Sequence, residues 1–233
     1  MALFGRGHAA TLADGCLVRN EWLCPDYVTS RQDQIVEALR EHIWITIISV
    51  VIGAVVAFAL ALVARRWRPL VAWVLGLSTM LYTIPSLALF SLLLAFTRLT
   101  STTVIIGLVL YSLTILVRGM LTGLDGVAGD VREAALGMGY GPGLLLWKVE
   151  LPLALPAIFA ALRVATVSTV ALTTVGVIVG HGGLGNLIYA GLRSNFKSEV
   201  LTASVLCVVL AIVADLLLLG LEKSMTPWRR IAA

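Results

Sequence analysis

Apolar residues run through this chain in blocks of about twenty, set apart by short polar stretches, which is the length a helix needs to cross a ~30 Å hydrocarbon layer. Five blocks stand out, at 43–64, 69–96, 104–121, 157–179 and 200–221. They predict an all-α integral membrane protein with about five transmembrane helices. The second block is too long for one straight crossing, and Pro85 removes a backbone hydrogen bond near its middle, so a kink is expected there. Ahead of the blocks, 1–41 is soluble in character and lacks the long apolar core of a signal peptide. Thr29 or Ser30 would cap a short surface helix there, with Ile35, Val36 and Leu39 as its apolar positions.

Charge orients the stack. Arg65, Arg66 and Arg68 follow the first block at once, Arg118 lies near the end of the third, Arg163 opens the fourth, and Lys223, Arg229 and Arg230 follow the fifth. Basic residues beside short loops mark the cytoplasmic side. The N-terminus is then outside and the C-terminus inside. The chain divides into an extracytoplasmic segment 1–41, a transmembrane region 42–222 and a cytoplasmic tail 223–233. Loops 97–103 and 180–199 fall outside, and 125–156 falls inside. The net charge of +4 sits beside the blocks, which excludes nucleic acid as its explanation. Three cysteines at irregular spacing make no metal site. Cys16 and Cys24 are close enough in sequence to pair if their segment lies outside the cytoplasm.

One polar interruption differs from the rest. Within 133–156, Gly137, Gly139, Gly141 and Pro142 break any continuous helix, while Glu133, Lys148 and Glu150 need water or partners. The stretch reads as two short helices joined by a turn. The first runs from Asp125 or Asp130 to Gly139, and the second from Gly143 to Leu151. Ala134, Ala135, Leu136 and Met138 give the first an apolar face, suited to a loop that lies flat at the membrane surface and meets another protein.

Other motifs carry less chemistry. Gly180 to Gly185 fits G-x-G-x-x-G, but no βαβ unit surrounds it, so it reads as an irregular turn before a short re-entrant piece at 187–192, with His181 in a structural role. No P-loop, H-E-x-x-H or G-x-S-x-G occurs, so the chain itself has no ATPase, metalloprotease or lipase signature. Asp215 is the one acid deep in a block. It either pairs with Arg163 to hold helices together or serves function directly. Tyr82, Thr83, Pro85, Ser86, Tyr111, Ser112 and Thr114 interrupt the second and third blocks. Each alone reads as packing; together they could line a path.

Glu133-Ala134-Ala135, then Gly139, then Val149 and Leu151-Pro152, resembles the EAA motif of ATP-binding-cassette importer permeases. That family has E-A-A, three residues, G, nine residues, I, one residue, L-P; here valine replaces the isoleucine. Thr83 to Leu89, Leu110-Tyr111-Ser112, Leu121 to Val127, Gly182 to Asn186, Glu222-Lys223 and Thr226-Pro227 are similar to permeases of osmoprotectant importers, which carry glycine betaine, carnitine or choline. The glycine-rich loop is also similar to that of methionine importers. The resemblance implies a non-catalytic permease without its own cofactor, in a prokaryotic plasma membrane and in contact with its lipid. Its partners would be two cytoplasmic ATPase subunits carrying ATP and Mg, a second permease, identical or sister, and an extracytoplasmic solute-binding protein. Glu133, Ala134, Ala135, Gly139, Leu151 and Pro152 would couple to the ATPase. Tyr82, Ser86, Tyr111 and Ser112 would line the substrate path, since aromatic faces attract quaternary ammonium groups. A methionine permease, an ATP-independent osmotic valve and a membrane scaffold are the alternatives.

Overall fold

A computed structural model describes residues 15–230; Met1 to Asp14, Ile231 to Ala233 and the side chains of Arg229 and Arg230 lie outside the described residues. No strand occurs among them. The first helix, α1, is Pro25–Ser30, and the second, α2, is Gln32–Arg66. The surface helix and the first span are therefore one rod. Only Arg40, Glu41 and His42 separate their apolar parts, and none of these residues breaks a helix. Thr29 and Ser30 do not cap α2. Both belong to α1 and donate to carbonyls of Pro25, Asp26 or Tyr27, so the break falls at Arg31.

The second block is broken rather than kinked. Helices α3 (Pro69–Thr83) and α4 (Ser86–Thr97) meet at 98°. Ile84 is extended, as a residue before proline prefers, and Pro85 offers no N–H. The Tyr111 hydroxyl donates to the Ile84 carbonyl that the break exposes. A carbonyl at membrane depth needs such a partner.

Helix α5 (Ser101–Asp125) is followed by the short helices α6 (Gly129–Gly137) and α7 (Pro142–Leu145). A π turn, Leu146–Glu150, leads without interruption into α8 (Leu151–Thr173) and a 3-10 turn, Thr174–Val179. The expected second short helix and the fourth span are thus continuous from Pro142 to Val179. Pro152 cannot donate to the turn before it, and that turn is the one widened to π. Helix α9 is Leu184–Arg193, longer than the expected re-entrant piece, and α10 is Lys197–Met225. Four helical stretches are long and apolar enough to cross a membrane, or five with the bent pair taken as one span.

Helices α2, α5 and α8 form the centre. Ala57, Ala61, Ala64, Leu116, Val117, Met120 and Ala165 are buried together there. Small residues let α5 and α8 cross closely, with Gly119 against Ala161 and Gly123 against Ala154 and Ala157. Helix α10 lies at the periphery, and its apolar middle is exposed, as a lipid-facing helix should be. From His42 to Arg65, α2 spans about 35 Å, so whatever meets its two ends lies a membrane apart.

Candidate functional site

The site is the elbow between α5 and α8. Helix α6 stops in a closed C-terminal motif. Tyr140 N–H donates to Ala135 O, and Gly139 N–H donates to Leu136 O. This pairing needs a left-handed residue just past the helix, and Gly139 has φ +88°. A Cβ at Gly139 would touch no described residue, so the position demands glycine for backbone reasons alone. The glycine of the E-A-A-x-x-x-G spacing is thereby accounted for: it ends the helix that E-A-A occupies.

The six expected coupling residues divide by environment. Glu133, Ala134 and Gly139 are exposed, Ala135 is buried against the chain, and Leu151 and Pro152 are half-buried at the start of α8. In the same segment Val131, Leu136 and Met138 are exposed as well, as are Leu144 and Trp147 further along the elbow. The expected apolar face is thus split, with Ala135 turned inward and Leu136 and Met138 outward.

At the base of the elbow, four charged side chains meet. Arg65, in the last turn of α2, donates through Nη1 and Nη2 to both oxygens of Glu150, at 2.9 and 3.0 Å. Its Nε donates to Asp125 Oδ1, at the end of α5, at 3.0 Å. Arg132 of α6 pairs with Glu150 Oε1 at 2.8 Å and donates to Leu124 O at 2.6 Å. Glu150 is nearly buried, with 8% of its side chain exposed. Sequence patterns did not single out this cluster. Arg65 had the ordinary value of a residue flanking a span, and Arg132 had none.

The substrate-path candidates gather at the α3–α4 break. The Tyr82 and Tyr111 rings pack edge to face at 5.8 Å. Tyr82 is exposed, Ser86 half-buried and Tyr111 buried. Ser112 lies apart from them. It is buried, donates to Val109 O and faces Gly53 of α2. Asp215 meets Arg163 in a two-pronged pair at 2.7 Å that joins α10 to α8.

The opposite end of the bundle is built differently. His42 Nδ1 accepts from Leu184 N–H, so its Nε2–H donates to Val170 O at 3.0 Å. His181 pairs with Glu41 at 2.9 Å. Cys16 and Cys24 are joined as a disulfide, and the segment they close docks on the α9–α10 turn. There Asn20 donates to Asn195 O and accepts from Lys197 N–H, while Tyr27 packs edge-on against Phe196.

Residues 49–230 match the family described as binding-protein-dependent transport system inner membrane component. The chain belongs to that family. This permease is similar to the glycine betaine/carnitine/choline transport system permease protein OpuCD of Bacillus subtilis, with 32% identity over 88% of this chain and 90% of that protein. It is 33% identical to the choline transport system permease protein OpuBD of the same organism, over 88% and 91%. It is also 33% identical to the osmoprotectant import permease protein OsmW of Salmonella typhimurium, over 80% and 89%. Its fold matches a chain of the inward-facing MetNI methionine ABC transporter, with a TM-score of 0.74 and 23% identity over 84% of this permease and 98% of that chain.

Proposed function

We propose that this permease is the transmembrane subunit of an ATP-driven, binding-protein-dependent importer for a compatible solute such as glycine betaine, choline or carnitine. The elbow carries the reading. It is a glycine-closed helix with an exposed apolar rim, pinned by charge to three spanning helices. The elbow end faces the cytoplasm, in keeping with Arg65, Arg66 and Arg68 beside it. There the apolar rim around Glu133 and Ala134 seats in a cytoplasmic ATPase, two of which serve two permeases, identical or sister. ATP and Mg belong to those partners. The solute-binding protein delivers to the opposite face.

The mechanism is alternating access. Closure of the ATPases on ATP moves the elbows and opens the spans outward; hydrolysis returns them. The nucleotide can shift this equilibrium only through contacts that differ between the two states. The path runs by the α3–α4 break, where Tyr82 offers an exposed ring to a quaternary ammonium at ~0.5–2 kcal/mol per contact, weak enough to release what it admits.

The test is uptake of radiolabelled betaine, choline, carnitine and methionine into vesicles holding the co-expressed complex. ATP-dependent uptake of a quaternary ammonium is expected. Uptake of methionine alone would move the substrate class. Downhill flux without ATP would replace the importer by a valve, and no flux by a scaffold.

A further inference from the structure

The apolar grip of α6 on the rest of the chain is slight. Ala135 is its one buried residue among those described, and the helix packs mainly on α7 and the π turn, the first turns of the stretch that continues as α8. The two chain connections, 126–128 and 138–141, are short turns. Yet an elbow that is to drive the spans must be tied to them firmly in at least one direction. The side chains that tie it are polar. Arg132 leaves α6 and holds both the Leu124 carbonyl of α5 and the Glu150 carboxylate. Glu150 sits where the π turn becomes α8 and is gripped as well by Arg65 of α2, through both of its oxygens. Arg65 also reaches Asp125, at the end of α5.

We infer that Arg65, Glu150 and Arg132, with Asp125, form a clasp that transmits movement of the elbow to α2, α5 and α8 together, making Glu150 and Arg65 positioning residues for coupling. This rests on the importer reading above. The chemistry suits the task. Two guanidiniums and two carboxylates balance in charge, so the cluster carries no net charge beside the membrane. A fork of two parallel N–H···O bonds fixes direction as well as distance, which a single point charge does not. Removing the carboxylate charge leaves two guanidiniums half-satisfied at a nearly buried site. The widened turn just before α8 puts Glu150 inward while Trp147 and Lys148 stay exposed.

The experiment compares solute taken up per ATP hydrolysed in vesicles holding the complete complex, with the amount of co-purified ATPase as the measure of assembly. In Glu150→Gln the complex assembles and hydrolyses ATP, while the uptake-to-hydrolysis ratio falls about tenfold, within the usual range of coupling between sites. Glu150→Asp, which keeps the charge on a shorter stem, recovers part of the ratio. Arg65→Lys, which keeps the charge without the fork, loses part of it. A purely structural role would lower assembled complex, hydrolysis and uptake in parallel. An unchanged ratio in Glu150→Gln, or in Glu150→Asp and Arg65→Lys should Glu150→Gln fail to assemble, overturns the clasp. Wild-type vesicles run alongside separate the two failures. No ATP-dependent uptake there overturns the importer reading itself, whereas normal wild-type uptake with unaltered variant ratios overturns the clasp alone.

Discussion

The two ends of α2 are held by opposite means. At His42 the helix is locked by an imidazole whose two nitrogens are both used by backbone, and by glycines that admit no side chain. A Cβ at Gly183 would come within 2.6 Å of the His42 Cβ, and one at Gly185 within 2.3 Å of Thr174 O. A disulfide-closed segment covers that end. At Arg65 the helix meets an elbow of short pieces whose glycines from Gly129 to Gly143 stand in open space and whose ties are ion pairs. Close-packed contacts resist displacement in every direction, whereas a guanidinium fork fixes distance and direction only along its own few hydrogen bonds. One end is a fixed anchor, and the other is a joint.

Glycine substitutions break this comparison most sharply. Gly185→Val drives two methyl groups into the backbone of Thr174, so stability should fall by ~3 kcal/mol or more, at or beyond the upper end for overpacking, and the folded yield in detergent should collapse. Gly137→Ala, with no described neighbour within 4 Å, should be neutral or slightly stabilising. Equal thermal midpoints for the two variants would erase the distinction between anchor and joint.

Opening the disulfide comes next. It closes a loop of eight residues' separation, for which chain entropy gives about 2–3 kcal/mol. Cys16→Ser with Cys24→Ser should loosen the covering segment by that order, seen as faster amide exchange at 15–30, while elbow exchange stays unchanged. Two reactive thiols at these positions in unreduced protein would show the pair is not formed.

At the joint, effects on stability are smaller and effects on coupling larger. Gly139→Ala forces a side chain into left-handed backbone at ~1–2 kcal/mol. Gly139→Asn should be milder, because asparagine tolerates that region. Gly139→Asp adds a negative charge at a helix C-terminus and should uncouple ATP hydrolysis from uptake most of the three. Unchanged uptake in Gly139→Asp would count heavily against docking by the elbow.

Much of the joint was legible in the chain because its requirements are local. E-A-A and the glycine four residues beyond it belong to one helix and its stop, and the run after it breaks where glycine and proline say it must. The spans were legible by length. Their junctions were less so. Pro85 announces an interruption, but whether two half-helices meet at a slight kink or at 98° depends on what receives the freed carbonyl, and Tyr111 lies 27 positions away. The continuity of α2 was hidden for a related reason. His42 looks like a polar boundary until its partners, on Val170 and Leu184, show it belongs inside. The clasp was the least visible part. Arg65 and Glu150 are 85 positions apart, and each taken alone resembles an ordinary charge at a membrane edge.

The smallest expected effect tests the anchor from within. Tyr27 is buried under the segment that covers that end, and its hydroxyl lies near Glu199 without completing a hydrogen bond of good geometry. Burial, and secondarily the Glu199 carboxylate, push the phenol up to about 12 from the usual 10.0. A raised pKa in the folded state favours the neutral form, so this contribution is complete below pH 10 and is lost as pH rises from 10 towards 12. Tyr27→Phe should leave stability within ~0.5 kcal/mol at neutral pH, since the hydroxyl it removes is unpartnered, and should flatten the fall in thermal midpoint above pH 10. A steep loss at neutral pH would mean that the hydroxyl is bonded and that the segment over the anchor is held by charge, as the joint is, rather than by packing.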